Sequence, residues 1–189
     1  GLLQQPDMLG WISVLLTFKL GDALGSPMVK PMLVDQGWSN SALGQLTLIS
    51  SLAGIVGALL GGLLYARLGA YRSLLLFGLL QAAGIAGMAL LVGAGGDTLS
   101  VYSISLFEQI ADGMSTVALF AVMMSYCRAE HEGADFTLQA CVQLLLAGLV
   151  GASSGLLAQW LGYSTLFLLA GLIGLAMLAL VQRHFRQRL

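Results

Sequence analysis

Four charged side chains stand where charge is expensive. Lys19 and Asp22 lie three residues apart inside one long apolar stretch, and Glu108 and Asp112 lie four apart inside another, with Gln109 beside them. On a helix, residues three or four apart share a face. Lys19 can therefore pair with Asp22, and Glu108 and Asp112 form a neighbouring carboxyl couple. An ion pair in hydrocarbon either binds a charged solute or ion, or is a structural pair whose members keep each other neutralised. Two carboxyls in a low dielectric rarely both ionise. That makes Glu108 and Asp112 candidates to carry a proton. Fully ionised, the four groups sum to −2, from one Lys against three acids. Gly25, Ser26 and Pro27 follow the first pair. They either break the helix beside the charges, exposing backbone to a cavity, or simply kink it.

The elements that must hold these groups are spanning helices. The 189 residues are 58% hydrophobic and only 9% charged, against about 25% charged in a soluble domain. Six stretches reach the roughly 20 apolar residues that a crossing requires: 9–29, 43–65, 73–95, 99–126, 136–159 and 163–182. They are too long and too evenly apolar for barrel strands. The expected fold is all-α, a polytopic membrane protein built as a six-transmembrane-helix bundle over residues 1–189. Charge −1 gives no case for nucleic acid. The chain opens Gly1-Leu2-Leu3-Gln4-Gln5-Pro6-Asp7, with neither Met nor a basic leader segment. It reads as a part of something longer.

Basic residues set the orientation. With the first end cytoplasmic, Arg67, Arg72, Arg128, Arg183, Arg186 and Arg188 all fall on the cytoplasmic side, against Lys30 opposite. Both termini are expected in the cytoplasm. Polar residues concentrate in the first and fourth stretches and thin out through the second and third, then again through the fifth and sixth. A placement repeating every three helices is a common transporter plan. Gly54, Gly57, Ala58, Gly61 and Gly62 in the second stretch, and Ala147, Gly151 and Gly155 in the fifth, predict close helix contacts.

Other patterns carry less. Cys127, Glu130, His131, Glu132 and Asp135 are metal-ligand types without a recognised ligand spacing. They read as a solvated loop, with Asp135 capping the next helix. Cys141 lies within the fifth stretch and reads as packing. Gly151-Ala152-Ser153-Ser154-Gly155 spells a nucleophile elbow, which needs a strand-to-helix turn that an apolar helix does not supply. Neither His131 nor His184 lies in the membrane core to serve as a base. No metal, cofactor or catalytic residue is expected.

The run Gly62-Leu63-Leu64-Tyr65-Ala66-Arg67-Leu68-Gly69-Ala70-Tyr71-Arg72 resembles the cytoplasmic loop signature of the major facilitator superfamily, Gly-x-Leu-x-Asp-Arg-x-Gly followed by basic residues. Gly62, Leu64, Arg67, Gly69 and Arg72 fit; Ala66 replaces the Asp. The degraded signature, six helices and the basic tail resemble the C-terminal half of such a transporter, which implies a missing N-terminal six-helix half. Lys19-Leu20-Gly21-Asp22, Glu108, Gly113-Met114 and Met123-Met124-Ser125 are similar to the muropeptide-permease and acetyl-CoA-transporter group. Gly21-Asp22-Ala23-Leu24, Lys30-Pro31-Met32-Leu33 and Glu132-Gly133-Ala134-Asp135-Phe136-Thr137 resemble its siderophore-permease branch most closely. The resemblance implies a secondary transporter of the bacterial inner membrane that takes up a siderophore–iron complex with protons, or alternatively a muropeptide. Lys19, Asp22, Glu108, Gln109 and Asp112 would line its pathway, and Gly62, Arg67, Gly69 and Arg72 would form its conformational loop. A different class remains, a non-transporting scaffold subunit, which would seal those charges from water.

Overall fold

The computed structural model describes Gln5, 7–93 and 97–186. Residues 1–4, Pro6, part of the 93–97 break and Arg188 of the basic tail lie outside the described residues. The described residues are helical almost throughout: α1 (Met8–Thr17), α2 (Leu20–Gly25), a 3-10 turn (Ser26–Met28), α3 (Val29–Asp35), α4 (Asn40–Gly87), a second 3-10 turn (Met88–Leu91), α5 (Thr98–Ser125) and α6 (Glu132–Arg186). Among the described residues, four helical stretches are long and apolar enough to cross a membrane: Met8–Asp35, Asn40–Leu91, Thr98–Ser125 and Glu132–Arg186.

Two of those four double back. Gly69 in α4 (φ 77°, ψ 176°) and Gly162 in α6 (φ 78°, ψ 162°) leave helical space altogether, in a region open essentially to glycine alone. Contacts along α5 show the reversal in α4. Gly57 packs on Ile110 and Gly61 on Met114, so this leg runs parallel to α5. Beyond Gly69 the order inverts: Gln81 meets Ser115, Gly84 meets Glu108 and Gly87 meets Ile104. In α6, Gln139 reaches Trp11 and Gly151 approaches Ala23, whereas Ala170 lies against Gly21 and His184 against Gly10. Each long helix therefore has two antiparallel legs.

The first stretch is helical to Asp35, six residues beyond the sequence expectation. It ends at Gly37 (φ 89°), where Trp38 N donates to Leu33 O (3.0 Å) and Gly37 N to Val34 O (2.9 Å), a glycine-terminated helix end. Ser39 then caps α4, accepting from Ala42 N at 3.2 Å. Within the first stretch the helix is interrupted twice. Thr17 Oγ1 and Ser13 Oγ donate back to Ser13 O and Leu9 O, bonds that bend helices. Lys19 then departs from helical dihedrals (φ −100°, ψ 6°). The second interruption is the 3-10 turn at Ser26–Met28.

The apolar core divides into two main clusters at opposite ends of α5. One gathers Trp11, Phe77, Leu119 and Val181; the other gathers Leu33, Met88, Val101 and Phe167. Glu108 and Asp112 fall between them. The second leg of α4, nearly devoid of polar residues in sequence, buries Leu74, Phe77, Gln81 and Ile85 in the bundle.

Small residues act as expected in only one of the two helices. A β-carbon on Gly61 would lie 2.6 Å from Met114 Cα, so α4 and α5 touch backbone to backbone. In the first leg of α6, Gly148 and Gly155 have nothing within 4 Å of a β-carbon position, and Gly151 has only ordinary contacts at 3.5 Å. The tight approach involving α6 is instead on its second leg, where a β-carbon on Gly21 would lie 2.5 Å from Ala170 O.

Candidate functional site

The departure of the chain from helix at Lys19 sends its ammonium towards α5 rather than along its own helix. Lys19 Nζ donates to Asp112 Oδ1 (2.6 Å) and Ser115 Oγ (2.7 Å). Its ion pair is therefore with Asp112, 93 residues away, and not with Asp22. The sequence expectation took one continuous helix through residues 19–22, and the break removes that geometry. Gln81 completes the arrangement: its Nε2 donates to Asp112 Oδ1 (3.1 Å) and its Oε1 accepts from Ser115 Oγ (2.9 Å). Four side chains from three elements thus close one polar network, with Lys19 7% exposed and Ser115 fully buried.

Pairing of Asp112 with Lys19 changes which carboxyls are left together. Asp22 and Glu108 are neighbours across α2 and α5, and neither Asp22 Oδ1 nor Glu108 Oε1 has a hydrogen-bond partner among the described residues. Glu108 is 3% exposed, and its other oxygen accepts from Gln109 Nε2 at 2.9 Å. Two buried carboxyl oxygens without donors are costly to keep. A proton on either would supply the missing donor to the other.

Two cavities flank the Ser26–Pro27 turn. One, about 400 Å³, is lined by Lys19, Asp22, Asp112, Thr116 and Gln143 among others. The second, about 410 Å³, is reached by Glu108 and Gln109 and bordered by serines of α4 and α5. The five pathway candidates of the sequence thus all line one or other cavity. Gln81 and Ser115 are the members that sequence reading missed. The available signals were that Gln81 is the single amide of an apolar leg, and that Ser115 stands three residues after Asp112.

The loop candidates are elsewhere. Gly69 makes the reversal in α4, Arg67 and Arg72 on either side of it are exposed, and Gly62 lies over Val117. They take no part in the polar network. A second polar joint closes the 126–135 hairpin, outside the apolar stretches. Asp135 does not cap α6, which already starts at Glu132. Instead its carboxylate accepts from Arg128 N (3.0 Å), Nε (2.8 Å) and Nη2 (2.8 Å). These charge-assisted bonds hold its pKa down at about 2.

The sequence model of the Major Facilitator Superfamily matches residues 4–188. The anhydromuropeptide permease of Escherichia coli strain K12 is 33% identical over 162 residues, covering 84% of this chain and 33% of the permease. Two putative AmpG transporters of Rickettsia prowazekii are 24% identical over 163 residues and 21% identical over 187 residues. These cover 84% and 98% of this chain, and 36% and 44% of the relatives. The chain spans between a third and a half of the length of these relatives.

Proposed function

The chain belongs to the major facilitator superfamily, and from that premise we propose that it is one six-helix half of a proton-linked muropeptide permease. The observation that carries the transport reading is the partly buried network of Lys19, Asp112, Gln81 and Ser115 set against a cavity of about 400 Å³. Intramembrane charges that face a cavity mark a solute or ion path. A sealed scaffold pair would have no such access.

Each leg of α4 and of α6 crosses the bilayer once, giving six crossings with α1–α3 and α5. A half of this kind works by rocking against a second bundle around a shared site. That second bundle is the partner this chain needs. The membrane is the bacterial inner membrane, with both termini on the cytoplasmic side. The muropeptide reading is supported by the name of the 33%-identical permease. The siderophore reading has sequence motifs alone behind it, so muropeptide takes precedence.

Proton linkage is assigned to Asp22 and Glu108. The two carboxyls are neighbours, each with an unpartnered oxygen, and a proton on one supplies a donor to the other. Outward opening loads that proton and inward opening releases it. The test is made in the full-length protein that carries this chain, with Asp22→Asn and Glu108→Gln. Gradient-driven accumulation of an anhydromuropeptide should fall in both, while counterflow exchange survives in at least one. Wild-type accumulation by both variants across pH 5.5 to 8 would overturn the proton assignment. Failure of the wild type to take up any muropeptide would overturn the substrate.

A further inference from the structure

The cavity of about 400 Å³ beside the Lys19–Asp112 pair keeps polar atoms that no described residue uses. Asp112 Oδ1 accepts from both Lys19 Nζ and Gln81 Nε2, whereas Asp112 Oδ2 bonds to no described residue, and the side chain stays 33% exposed. Thr116, one helical turn beyond Asp112 on α5, shares its face and lines the same cavity. Its hydroxyl is uncommitted, unlike those of Thr47 and Thr17, which donate to Leu43 O and Ser13 O on their own helices. Gln143 reaches the cavity from the first leg of α6. It lies one turn beyond Gln139, which bonds Trp11 across the bundle, and two turns before Gly151, which approaches Ala23 and Pro27. That stripe faces inward, so Gln143 points into the bundle. It is 8% exposed and bonds to no described residue. None of these atoms is sealed, in contrast to Asp22 Oδ1 and Glu108 Oε1. What exposure Gln143 retains therefore includes both atoms of its amide. Buried polar side chains are normally paired, and here the partner comes from outside the chain.

We infer that Asp112, Thr116 and Gln143 form a subsite for a neutral secondary amide of the solute. The inference rests on the muropeptide reading above and names the group that this cavity recognises. Donor and acceptor sets decide the chemistry. An ammonium has three N–H donors, and Lys19 Nζ spends them on Asp112 Oδ1 (2.6 Å), Ser115 Oγ (2.7 Å) and Asp112 O (3.4 Å). Lys19 is the one cation among the lining residues, which also include Asp22 and Asp112. A solute carboxylate therefore meets acids and no free cation. A solute ammonium would have to share Asp112 with the Lys19 ammonium, against like-charge repulsion. A neutral amide avoids both conflicts. Its N–H donates to Asp112 Oδ2, a charge-assisted bond, and its carbonyl accepts from Gln143 Nε2 or Thr116 Oγ1. Leu119, Phe120 and Leu144 supply an apolar surround, and mostly apolar walls with a few convergent polar groups are the rule for sites of 300–1,000 Å³. A muropeptide offers secondary amides from two sources, the acetamido groups of its sugar and the bonds of its peptide arm.

The experiment measures equilibrium binding to the full-length protein that carries this chain, purified in detergent. The probes are an intact anhydromuropeptide, its peptide-free sugar, and that sugar with hydroxyls in place of its acetamido groups. Gln143→Leu combined with Thr116→Val removes an amide and a hydroxyl at nearly constant size and without changing charge. The expected result is a loss of about tenfold or more in affinity for the intact anhydromuropeptide, as two neutral hydrogen bonds imply. An equal loss for the peptide-free sugar identifies the acetamido group as the source; an unchanged sugar identifies the peptide arm. In either case the hydroxyl-bearing analogue should bind variant and wild type alike. Thr116→Ser, which retains the hydroxyl, should bind like wild type, and each single variant should show part of the loss if the double variant does not fold. Unchanged affinity of a folded double variant for the intact anhydromuropeptide overturns the subsite and leaves the muropeptide reading standing. An equal loss for all three probes also overturns it, because the two side chains would then act on the fold as a whole. A wild type that binds none of the probes overturns both readings.

Discussion

Lys19 is held by two side chains of α5, Asp112 and Ser115, and its removal leaves more than a missing contact. Truncating it leaves Asp112 with Gln81 as its side-chain donor among the described residues, and breaking a buried ion pair costs more than the pair contributes intact. Because Asp112 keeps a side chain 33% exposed, the loss is less than for a sealed pair. Lys19→Met is expected to lower stability by about 1–3 kcal/mol, read by thermal unfolding in detergent, and to abolish uptake. Lys19→Met combined with Asp112→Leu should recover most of the stability and none of the uptake. Recovery of both would make the pair purely structural. At the hairpin, Asp135 works by the opposite economy. Its pKa of about 2 lies below the usual carboxylate value near 3.9. Its contribution is therefore present above pH 4 and is lost as pH falls towards 2. Asp135→Asn should unfold at a lower temperature than wild type at pH 7, and the gap should narrow steadily from pH 4 to pH 2. A gap that stays constant over that range would remove the Arg128 bonds as the cause. Asp112 and Asp135 are both obvious as charges in the sequence. That Asp112 belongs to Lys19 is not, because the pairing depends on a helix break that residue spacing along one helix does not contain.

Glycines decide how the helices run and how close they come. Gly69 and Gly162 adopt φ near +78° with extended ψ, so any side chain there is strained. Gly69→Ala and Gly162→Ala should each cost about 1–3 kcal/mol, although neither glycine has an atom within 4 Å of its β-carbon position. Gly61 and Gly155 separate the two other uses of the residue. Gly61→Ala drives a methyl into the Met114 backbone at 2.6 Å and should destabilise the α4–α5 pair. Gly155→Ala meets open space and should be neutral, or stabilise by about 0.5–1 kcal/mol through helix propensity. Thermal unfolding of the four variants checks the set. A Gly155→Ala as harmful as Gly61→Ala would mean that the first leg of α6 packs more tightly than its contacts indicate. Both glycine sets look alike as spacing in a sequence. Only the neighbour opposite each one distinguishes a packing glycine from one that faces open space.

At the scale of the whole molecule, the transport proposed above needs a second bundle beside this one. Rocking between two bundles cannot be done by one. Liposomes holding residues 1–189 alone are expected to show no solute-specific uptake, and restoration by co-insertion of a second six-helix bundle would support the proposed two-bundle arrangement. A reporter fused after Leu189 that is active only outside the cytoplasm should stay silent, given the arginine distribution; activity there would invert the topology. The amino-acid sequence by itself determined the class of molecule. Apolar runs of bilayer length, scarce charge and the Gly62–Arg72 loop pattern depend only on composition and local order, so they are legible without coordinates. The charges of the proposed pathway are legible for the same reason, since an ionised group in hydrocarbon is conspicuous wherever it points. The tertiary structure decided the partnerships: Lys19 with Asp112, Asp22 with Glu108, and Gln81 and Ser115 recruited to the network. These residues are tens of positions apart. Their meeting is set by where α4 and α6 reverse and where the first stretch breaks, and those choices are made by packing between helices, not by the order of residues within any one of them.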